Sequence, residues 1–538
     1  MRMVDVVRAT AGRYPDHVAY EFMGKKTTYA ELIRQIGKTS DALRQIGVQK
    51  GDIVCIAMPN VPQAIMMIYA VNQLGGTVNM IHPLSSENEL LTFVNRVEAK
   101  TILVLDQFYD KIKAIREQTG LQHIIVASVG DALAPLKRIG YALTAGRKLP
   151  QPKGEESVAL WKDFYRSGQT YTPQTEDSDE DIALILHSGG TTGKVKGVCL
   201  SNRNVNTSAQ QMIEGNPMIQ STDRFLSVMP IFHGNGLVIG VHAMLMIGAR
   251  CVLIPRFTPE SYAKDLLKSR CNYMSGVPAL FERLMEVEVM QNADLSFLKG
   301  VFSGADYLSV ELEGRINQFL QQHHAPVRVR QGYGMTEGVV ATTLNPMDRQ
   351  KPGSVGLPLP GVAVKIVKPN TEEEVPAGEI GEIVFSSETN MVCYFRDEEE
   401  TALVKRCHAD GKTWIHSGDL GTVDDEGFVY FKGRIKRMIV TNGYNVFPNE
   451  LENIIEGFPM VDRCCVLGVP HSEGSQKIKA FILLKKGTAP SDETREEILA
   501  LCRKNIAKYA LPKAIQFVEE IPKTKVGKVD YQALLKDE

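Results

Sequence analysis

Two stretches of this 538-residue chain gather groups that can handle a polyphosphate. The first is Ser188-Gly189-Gly190-Thr191-Thr192-Gly193-Lys194-Val195-Lys196-Gly197, which follows the apolar residues 182–186. A strand that ends in such a loop presents backbone N–H groups, two threonine hydroxyls and lysine ammoniums at one point, the donor set that phosphate oxygens require. It is not a Walker A loop, because Gly193-Lys194 leads into Val195 rather than a serine or threonine. The second stretch is Gln331-Gly332-Tyr333-Gly334-Met335-Thr336-Glu337-Gly338. Tyr333, between glycines, can lie flat against a base, and Thr336 can donate to a phosphate oxygen. Glu337 is an oxygen ligand suited to Mg²⁺, which keeps several waters and needs few protein carboxylates. Taken singly, Lys528 reads as a solvated lysine, Asp419 as a turn residue, Gly443 as a turn and His233 as a satisfied polar residue. Only the joint pattern gives them chemistry.

That pattern continues along the chain as Pro230-Ile231-Phe232-His233, Gly276-Val277-Pro278 and Trp414-Ile415-His416-Ser417-Gly418-Asp419-Leu420-Gly421. It ends with Gly433-Arg434-Ile435-Lys436, Gly443-Tyr444-Asn445-Val446-Phe447-Pro448-Asn449-Glu450 and Pro522-Lys523-Thr524-Lys525-Val526-Gly527-Lys528. In this order the segments resemble the adenylate-forming (AMP-binding, ANL) superfamily, which holds acyl-CoA synthetases, peptide-synthetase adenylation domains and beetle luciferases. The likeness covers nearly the whole chain. It implies an ATP site built from Ser188, Gly189, Gly190, Thr191, Thr192, Gly193, Lys196, Gly304, Ala305, Gln331, Gly332, Tyr333, Gly334, Met335, Thr336, Asp419, Arg434 and Lys528. It implies catalytic roles for Lys528, Glu337, Thr336, Lys196 and His233, with Glu337 as the metal ligand. The acyl pocket would take in His233, Gly234, Ser303, Gly304 and Gly338. Lys436 would be the hinge, with Gly443 and Tyr444 on the path of coenzyme A.

The chemistry this implies has physical reasons. A carboxylate is a poor electrophile, so attack on the α-phosphorus of ATP converts it to a mixed anhydride with AMP as leaving group. Two anions must meet, and Lys528 would bridge the substrate carboxylate and the α-phosphate, worth about 3–4 kcal/mol as electrostatic stabilisation and positioning. Lys196, Thr191 and Thr192 would hold the departing pyrophosphate, with Mg²⁺ neutralising charge. Asp419 can accept both ribose hydroxyls, and Arg434 can donate there. A thiol must then reach the acyl carbon, which rotation about Lys436 would allow.

The surrounding pattern positions these groups. A helix opens after Thr28, with Glu31 at capping-box spacing, and runs to about residue 47. Apolar runs at 53–58, 75–80, 102–105 and 124–126 alternate with helical stretches such as 64–74, and the theme recurs at 224–229, 250–254, 273–275 and 301–303. Continuous apolar strands alternating with helices predict α/β architecture with mostly parallel, covered sheets. After residue 351 the texture turns β-rich, predicting a small β subdomain over about 351–434. A compact α+β segment follows, with a helix at 449–456, strands at 464–468 and 477–484, and a helix at 493–506. The expected division is a large N-terminal domain of two α/β subdomains plus the β subdomain, 1–434, and a smaller mobile α+β domain, 435–538.

Net charge is −2, so no basic field recruits nucleic acid. Nine cysteines without a CxxC pair fit a reducing cytoplasmic compartment. The N-terminal residues lack a signal-peptide core. The longest apolar run, 237–249, contains His242, is too short to span a bilayer and reads as a buried helix. Residues 133–148 mix Leu, Ile and Tyr with Lys137, Arg138, Arg147 and Lys148. One reading is a solvated surface excursion; the sharper one is a membrane-surface contact. Oligomeric state is not written in the sequence.

For the acid, residues 232–236 carry no aspartate to pair with an amino group. This argues against amino acids. A medium- or long-chain fatty acid comes first and an aryl acid of cinnamate or benzoate type second, with free coenzyme A as acceptor. A luciferase-like adenylating oxygenase and a non-catalytic acyl- or nucleotide-binding relative are the readings from other classes. Departures from the family pattern are Val195 in place of a usual proline, Cys393 in place of a frequent glycine, Asp306 beside the adenine site, and Val440 and Asn442 where some relatives carry lysines.

Overall fold

The computed structural model describes residues 1–150, 152, 154–155, 157–171, 178–189, 195–441, 444–470, 476–523 and 529–535. Two large sheets carry the N-terminal part. In the first the strands run Cys393–Tyr394, Val195–Ser201, Ile182–Gly189, Thr77–Met80, Ile53–Ala57, Thr101–Leu105, His123–Ala127 and Val158–Leu160 in spatial order. All neighbours from Ile182–Gly189 to Val158–Leu160 pair in parallel, and antiparallel strands close the other edge. The second sheet has a parallel centre, Val329–Tyr333, Gly300–Ser303, Tyr273–Gly276, Arg224–Ser227, Arg250–Leu253 and Val18–Phe22. The expected apolar strands are therefore present, most within a residue or two of their read bounds.

One cluster of buried side chains joins the sheets, with Val54, Ile56 and Leu184 from the first and Phe225, Leu253 and Tyr273 from the second. The helix Pro62–Gln73 is buried at every position, which explains why its sequence lacks a polar face. The helix after Thr28 spans Tyr29–Gln45, and Thr28 Oγ1 accepts from the Glu31 N–H at 3.2 Å. Only that half of the capping box forms, since the Glu31 carboxylate accepts instead from Gln35 Nε2 at 3.3 Å.

The run 237–249 is buried as expected, but its helix type differs. It forms a π-helix, Asn235–Ala243, followed by one α-turn, Met244–Ile247. His242 is accommodated by Tyr69 Oη on Nδ1 and Asn206 Oδ1 on Nε2, both at 2.9 Å. Burial pushes its pKa down to about 3, so it stays neutral. π-turns are rare and concentrate near functional sites, and this one begins directly after Phe232-His233-Gly234.

The β-rich segment forms a five-stranded sheet of Ala363–Val367, Gly381–Ser386, Thr413–Val423, Lys405–Cys407 and Val429–Arg434. Beyond it lie a hairpin, Ile439–Thr441 with Tyr444–Val446, and a three-stranded sheet, Val461–Pro470, Gln476–Leu484 and Ala514–Phe517, packed on helices Pro448–Glu456 and Asp492–Asn505. Among the described residues no helix is long and apolar enough to cross a membrane.

Candidate active site

Ser188 and Lys196 face each other across the antiparallel pair Ile182–Gly189 and Val195–Ser201, so the hairpin end carries the phosphate-loop sequence. Gly190, Thr191, Thr192 and Gly193 lie outside the described residues, as do Gly443 and Lys528, and of Gly189 and Tyr444 only the backbone is described. His187, on strand Ile182–Gly189, packs at a tilt on Phe93 with ring centroids 4.3 Å apart and meets Asn79 Oδ1 through Nε2 at 2.8 Å. Burial lowers its pKa to about 4, with help from Arg96, so no imidazolium sits there near neutral pH.

The Gln331-to-Gly338 stretch begins as the end of strand Val329–Tyr333 and turns into the short 3₁₀ helix Thr336–Gly338. Glu337 is buried, and its Oε1 accepts from Ser188 Oγ at 3.2 Å and from Tyr394 Oη at 2.7 Å. Two motifs about 150 residues apart thus meet at one carboxylate oxygen. A carboxylate offers roughly four acceptor sites, so Glu337 retains capacity for one hydrated cation. Among the described residues no group of three or more His, Cys, Asp or Glu is arranged to cage a metal. A lone carboxylate with hydroxyl support fits Mg²⁺ that also rests on phosphates and waters.

Tyr394 is the residue the sequence reading missed. Burial and the Glu337 charge beside it push its phenol pKa far up, so it remains a donor. The Lys196 ammonium lies 4.6 Å from the Tyr394 ring centroid and pairs with Glu400. Glu400 sits on the helix Glu398–Val404 and was likewise unforeseen. The only hint was position, since Val392-Cys393-Tyr394-Phe395 stood out for its cysteine and not its tyrosine.

Tyr333 does more than offer a flat ring. Its hydroxyl donates to Asp419 Oδ2 at 2.8 Å, and Arg434 Nε approaches Asp419 Oδ1 at 3.2 Å. Asp419 and Arg434 face each other across strands Thr413–Val423 and Val429–Arg434. Burial and the Asp419 charge raise the Tyr333 pKa well above its usual value. Glu382 fixes the turn before Asp419: Oε1 accepts from the Gly418 N–H at 3.0 Å and Oε2 meets His416 Nδ1 at 3.0 Å. His416 in turn contacts His408, Nε2 to Nε2, at 2.9 Å. No sequence signal marked Glu382, which looks like any strand residue.

The glycines divide into two kinds. A Cβ on Gly334 would fall 1.8 Å from the Val340 carbonyl oxygen, and one on Gly234 2.2 Å from that of Val339. Close backbone approach alone demands glycine there. On Gly332 it would meet Thr343 O at 3.0 Å, and on Gly338 the Phe385 ring at 2.8 Å. On the side where a Cβ would sit, Gly338 therefore packs against Phe385. Gly304 differs, since its nearest neighbour would be Gly332 O at 3.4 Å, ordinary contact. Ser303 Oγ beside it is buried without a hydrogen-bond partner among the described residues.

Two non-glycine residues with left-handed φ flank this region, Ala305 at +67° and Val339 at +69°. Val339 has ψ −59°, and the Val340 N–H donates to Gly338 O at 2.9 Å, a γ-turn. Such strain in a β-branched residue costs about 1–3 kcal/mol and clusters at ligand clamps. Gln331 is buried, and its backbone carbonyl accepts from Asn345 N–H at 3.0 Å. Met335 and Thr336 continue the turn, half-buried. His233 packs on Phe232 at 4.7 Å between ring centroids, and His82 also meets the Phe232 ring, tilted, at 4.4 Å. His82, after strand Thr77–Met80, was not foreseen.

Arg434 faces Asp419, Lys436 is exposed in the 3₁₀ turn Ile435–Arg437, and Arg437 turns the other way. It bonds Glu452 at 2.6 Å and lies 4.1 Å from the Tyr531 ring centroid.

Residues 7–395 match the model of the AMP-binding enzyme family, and residues 450–528 match that of the AMP-binding enzyme C-terminal domain. The chain belongs to the AMP-binding enzyme family. It is 32% identical to a long-chain-fatty-acid–CoA ligase of Bacillus subtilis, over 99% of this chain and 94% of the relative. It is 28% identical to a probable 4-coumarate–CoA ligase 1 of Dictyostelium discoideum, over 92% of this chain and 87% of the relative. The crystal structure of ATP-bound MatB from Rhodopseudomonas palustris superposes with a TM-score of 0.85 at 26% identity, covering 100% of this chain and 99% of that one. The α/β fold expected from the sequence, with a large N-terminal and a smaller C-terminal domain, is thus that of an ATP-using ligase family.

Proposed function

We propose that the chain is an AMP-forming acyl-CoA synthetase whose acid is a medium- or long-chain fatty acid. The observation that supports the site assignment most is the convergence of separate motifs: Ser188 on Glu337, and Tyr333 and Arg434 on Asp419. Preference for a fatty acid over an aryl acid rests on the full-length likeness to a fatty-acid ligase, with the coumarate ligase as the second reading.

In this reading Asp419 accepts the ribose hydroxyls, oriented by Tyr333 and by Glu382 through the Gly418 N–H. The 190–194 loop and Lys196 receive the polyphosphate, and Lys196 exchanges Glu400 for a phosphate oxygen. Mg²⁺, held through Glu337, supplies positive charge to the polyphosphate. Lys528 draws the acid's carboxylate to the α-phosphorus, the carboxylate oxygen bonds phosphorus, and pyrophosphate leaves with the P–O bond's electrons. His233 and the 303–305 turn, with Gly304 the open position, border the acyl group. We place the domain division at 434/435. Arg434 is tied to Asp419 and Arg437 to Glu452, so exposed Lys436 lies where a rotation would break neither tie. Gly443 and Tyr444 are the residues assigned to the coenzyme A path.

The purified chain, supplied with ATP, Mg²⁺, coenzyme A and a panel of acids, should release AMP and form acyl-CoA best with fatty acids. Lys528→Ala should abolish pyrophosphate exchange. Near-wild-type exchange in that variant overturns its role, and acyl-CoA formation confined to aryl acids overturns the fatty-acid reading.

Residues 135–143 form a helix whose Leu136, Ile139 and Leu143 are 86%, 59% and 71% exposed at helical spacing. Lys137 and Arg138 flank that stripe, which suits an anionic bilayer surface from which a fatty acid could be taken. Sedimentation with anionic vesicles should fall on changing the three apolar residues to serine. Unchanged binding overturns the membrane contact.

A further inference from the structure

Cys393 departs from the family pattern, and the fold gives it a partner. Cys199 lies on strand Val195–Ser201, which leads out of the phosphate loop, and Cys393 on strand Cys393–Tyr394 at the sheet edge. The strands are antiparallel and the two cysteines are direct partners in the register. Directly opposed residues of an antiparallel pair have Cα atoms about 4.5–5.5 Å apart with side chains on the same face. A disulfide spans about 4.4–6.8 Å between Cα atoms. Both side chains enter the same apolar cluster. Cys199 is buried and Cys393 is partly exposed, so only Cys393 meets a reagent from solvent. None of the nine cysteines is in a disulfide in this structure.

We propose that Cys199 and Cys393 form a reversible thiol–disulfide pair, closed by low-molecular-weight disulfides and opened by thiols. Cys393 is primed to react first. The facing Cys199 thiol lowers its pKa to about 7 against the cost of burial, and the Lys405 ammonium assists while the Glu398 carboxylate opposes. Lys405 is held there by bonds to the Met391 and Val392 carbonyls, both 2.9 Å. The Cys393 thiolate attacks one sulfur of a small disulfide RS–SR, giving a Cys393–SR mixed disulfide and RS⁻. Cys199 then gives up its proton, attacks the Cys393 sulfur and expels the second RS⁻. The two leaving thiolates take up the protons, so two protein thiols are oxidised and one RS–SR is reduced to two RSH. The closed bond would staple the strand leading out of the phosphate loop to the segment whose Tyr394 holds Glu337.

The pair is independent of which acid the enzyme activates, and its test reads a covalent bond rather than turnover. The full-length protein is incubated with oxidised glutathione, alkylated, and mapped without reduction. A Cys199–Cys393 linked peptide that disappears on adding dithiothreitol supports the pair. Cys199→Ser should stop at the Cys393–glutathione adduct, and Cys393→Ala should form neither adduct nor link. Circular dichroism of each variant checks the fold. A wild-type protein that carries only the Cys393 adduct, links a different pair, or stays fully reduced while a control dithiol oxidises overturns the proposal.

Discussion

Tyr394→Phe removes one oxygen from the candidate site and tests the reasoning about Glu337 directly. The phenol donates to a buried carboxylate at 2.7 Å, and a hydrogen bond to a charged group contributes about 1.5–3 kcal/mol. The phenylalanine ring keeps the position 4.6 Å from the Lys196 ammonium, so the cation–ring contact survives and the hydroxyl alone is lost. Ser188 Oγ, at 3.2 Å, remains as a weaker donor to the same oxygen. Partners that orient a metal ligand typically account for 10–100-fold in metal affinity, the same range as 1.5–3 kcal/mol at 1.4 kcal/mol per decade. ATP–pyrophosphate exchange, titrated with Mg²⁺ at saturating acid, should show a midpoint raised about 10–100-fold, with much of the maximal rate recovered at high Mg²⁺. Tyr394→Ala, which also removes the ring under Lys196, should lose rate that Mg²⁺ does not restore. If the Tyr394→Phe and wild-type Mg²⁺ curves superimpose, Tyr394 does not orient a metal ligand and Glu337 loses its support for that role.

Other outcomes follow from the same geometry. Asp419→Ala leaves the Tyr333 hydroxyl and Arg434 without their shared carboxylate, and should raise the KM for ATP in the exchange assay about 10–100-fold, given 1.5–3 kcal/mol per charged hydrogen bond, with the KM for the acid little changed. Gly334→Ala, whose Cβ would meet Val340 O at 1.8 Å, should cost at least about 2–3 kcal/mol in urea unfolding. Gly304→Ala, with 3.4 Å to its nearest neighbour, should cost under about 1 kcal/mol while weakening ATP; equal destabilisation would contradict the distinction. Glu456 is half-buried, and desolvation, aided by Glu452 and Glu282, lifts its pKa to about 7 from 4.5. A raised carboxyl keeps its proton folded while the unfolded chain releases it, so stability should decline between pH 4.5 and 7 by up to about 3 kcal/mol. Unfolding of Glu456→Gln across that range should lack this component, and parallel profiles would refute the assignment.

The apolar runs at 53–58, 102–105 and 124–126 read as covered strands, because short apolar segments between turns are too brief for a helix and must be buried on both faces. The two glycine- and hydroxyl-rich loops pointed to phosphate chemistry through residue type alone. Helix form was less legible. The run 237–249 could be read as buried, but a π-helix differs from an α-helix only in how its N–H groups find acceptors, and nothing in a uniformly apolar sequence records that. At Gly338 the sequence shows that a small residue is needed, and only the packing shows that a side chain there would meet Phe385.

The chemical vocabulary of the site was set by local sequence: Ser188, Lys196, Glu337, Asp419 and the glycines around them declare their functional groups wherever they lie. Their meeting was decided by tertiary structure. Ser188 reaches Glu337 and Tyr333 reaches Asp419 only because one sheet edge, one loop and a separate β-sheet pack together. Tyr394, Glu400, Glu382, His82 and the Cys199–Cys393 pair owe their places to that packing. A hydrogen bond or a facing thiol depends on separation in space, which a linear order of residues does not specify.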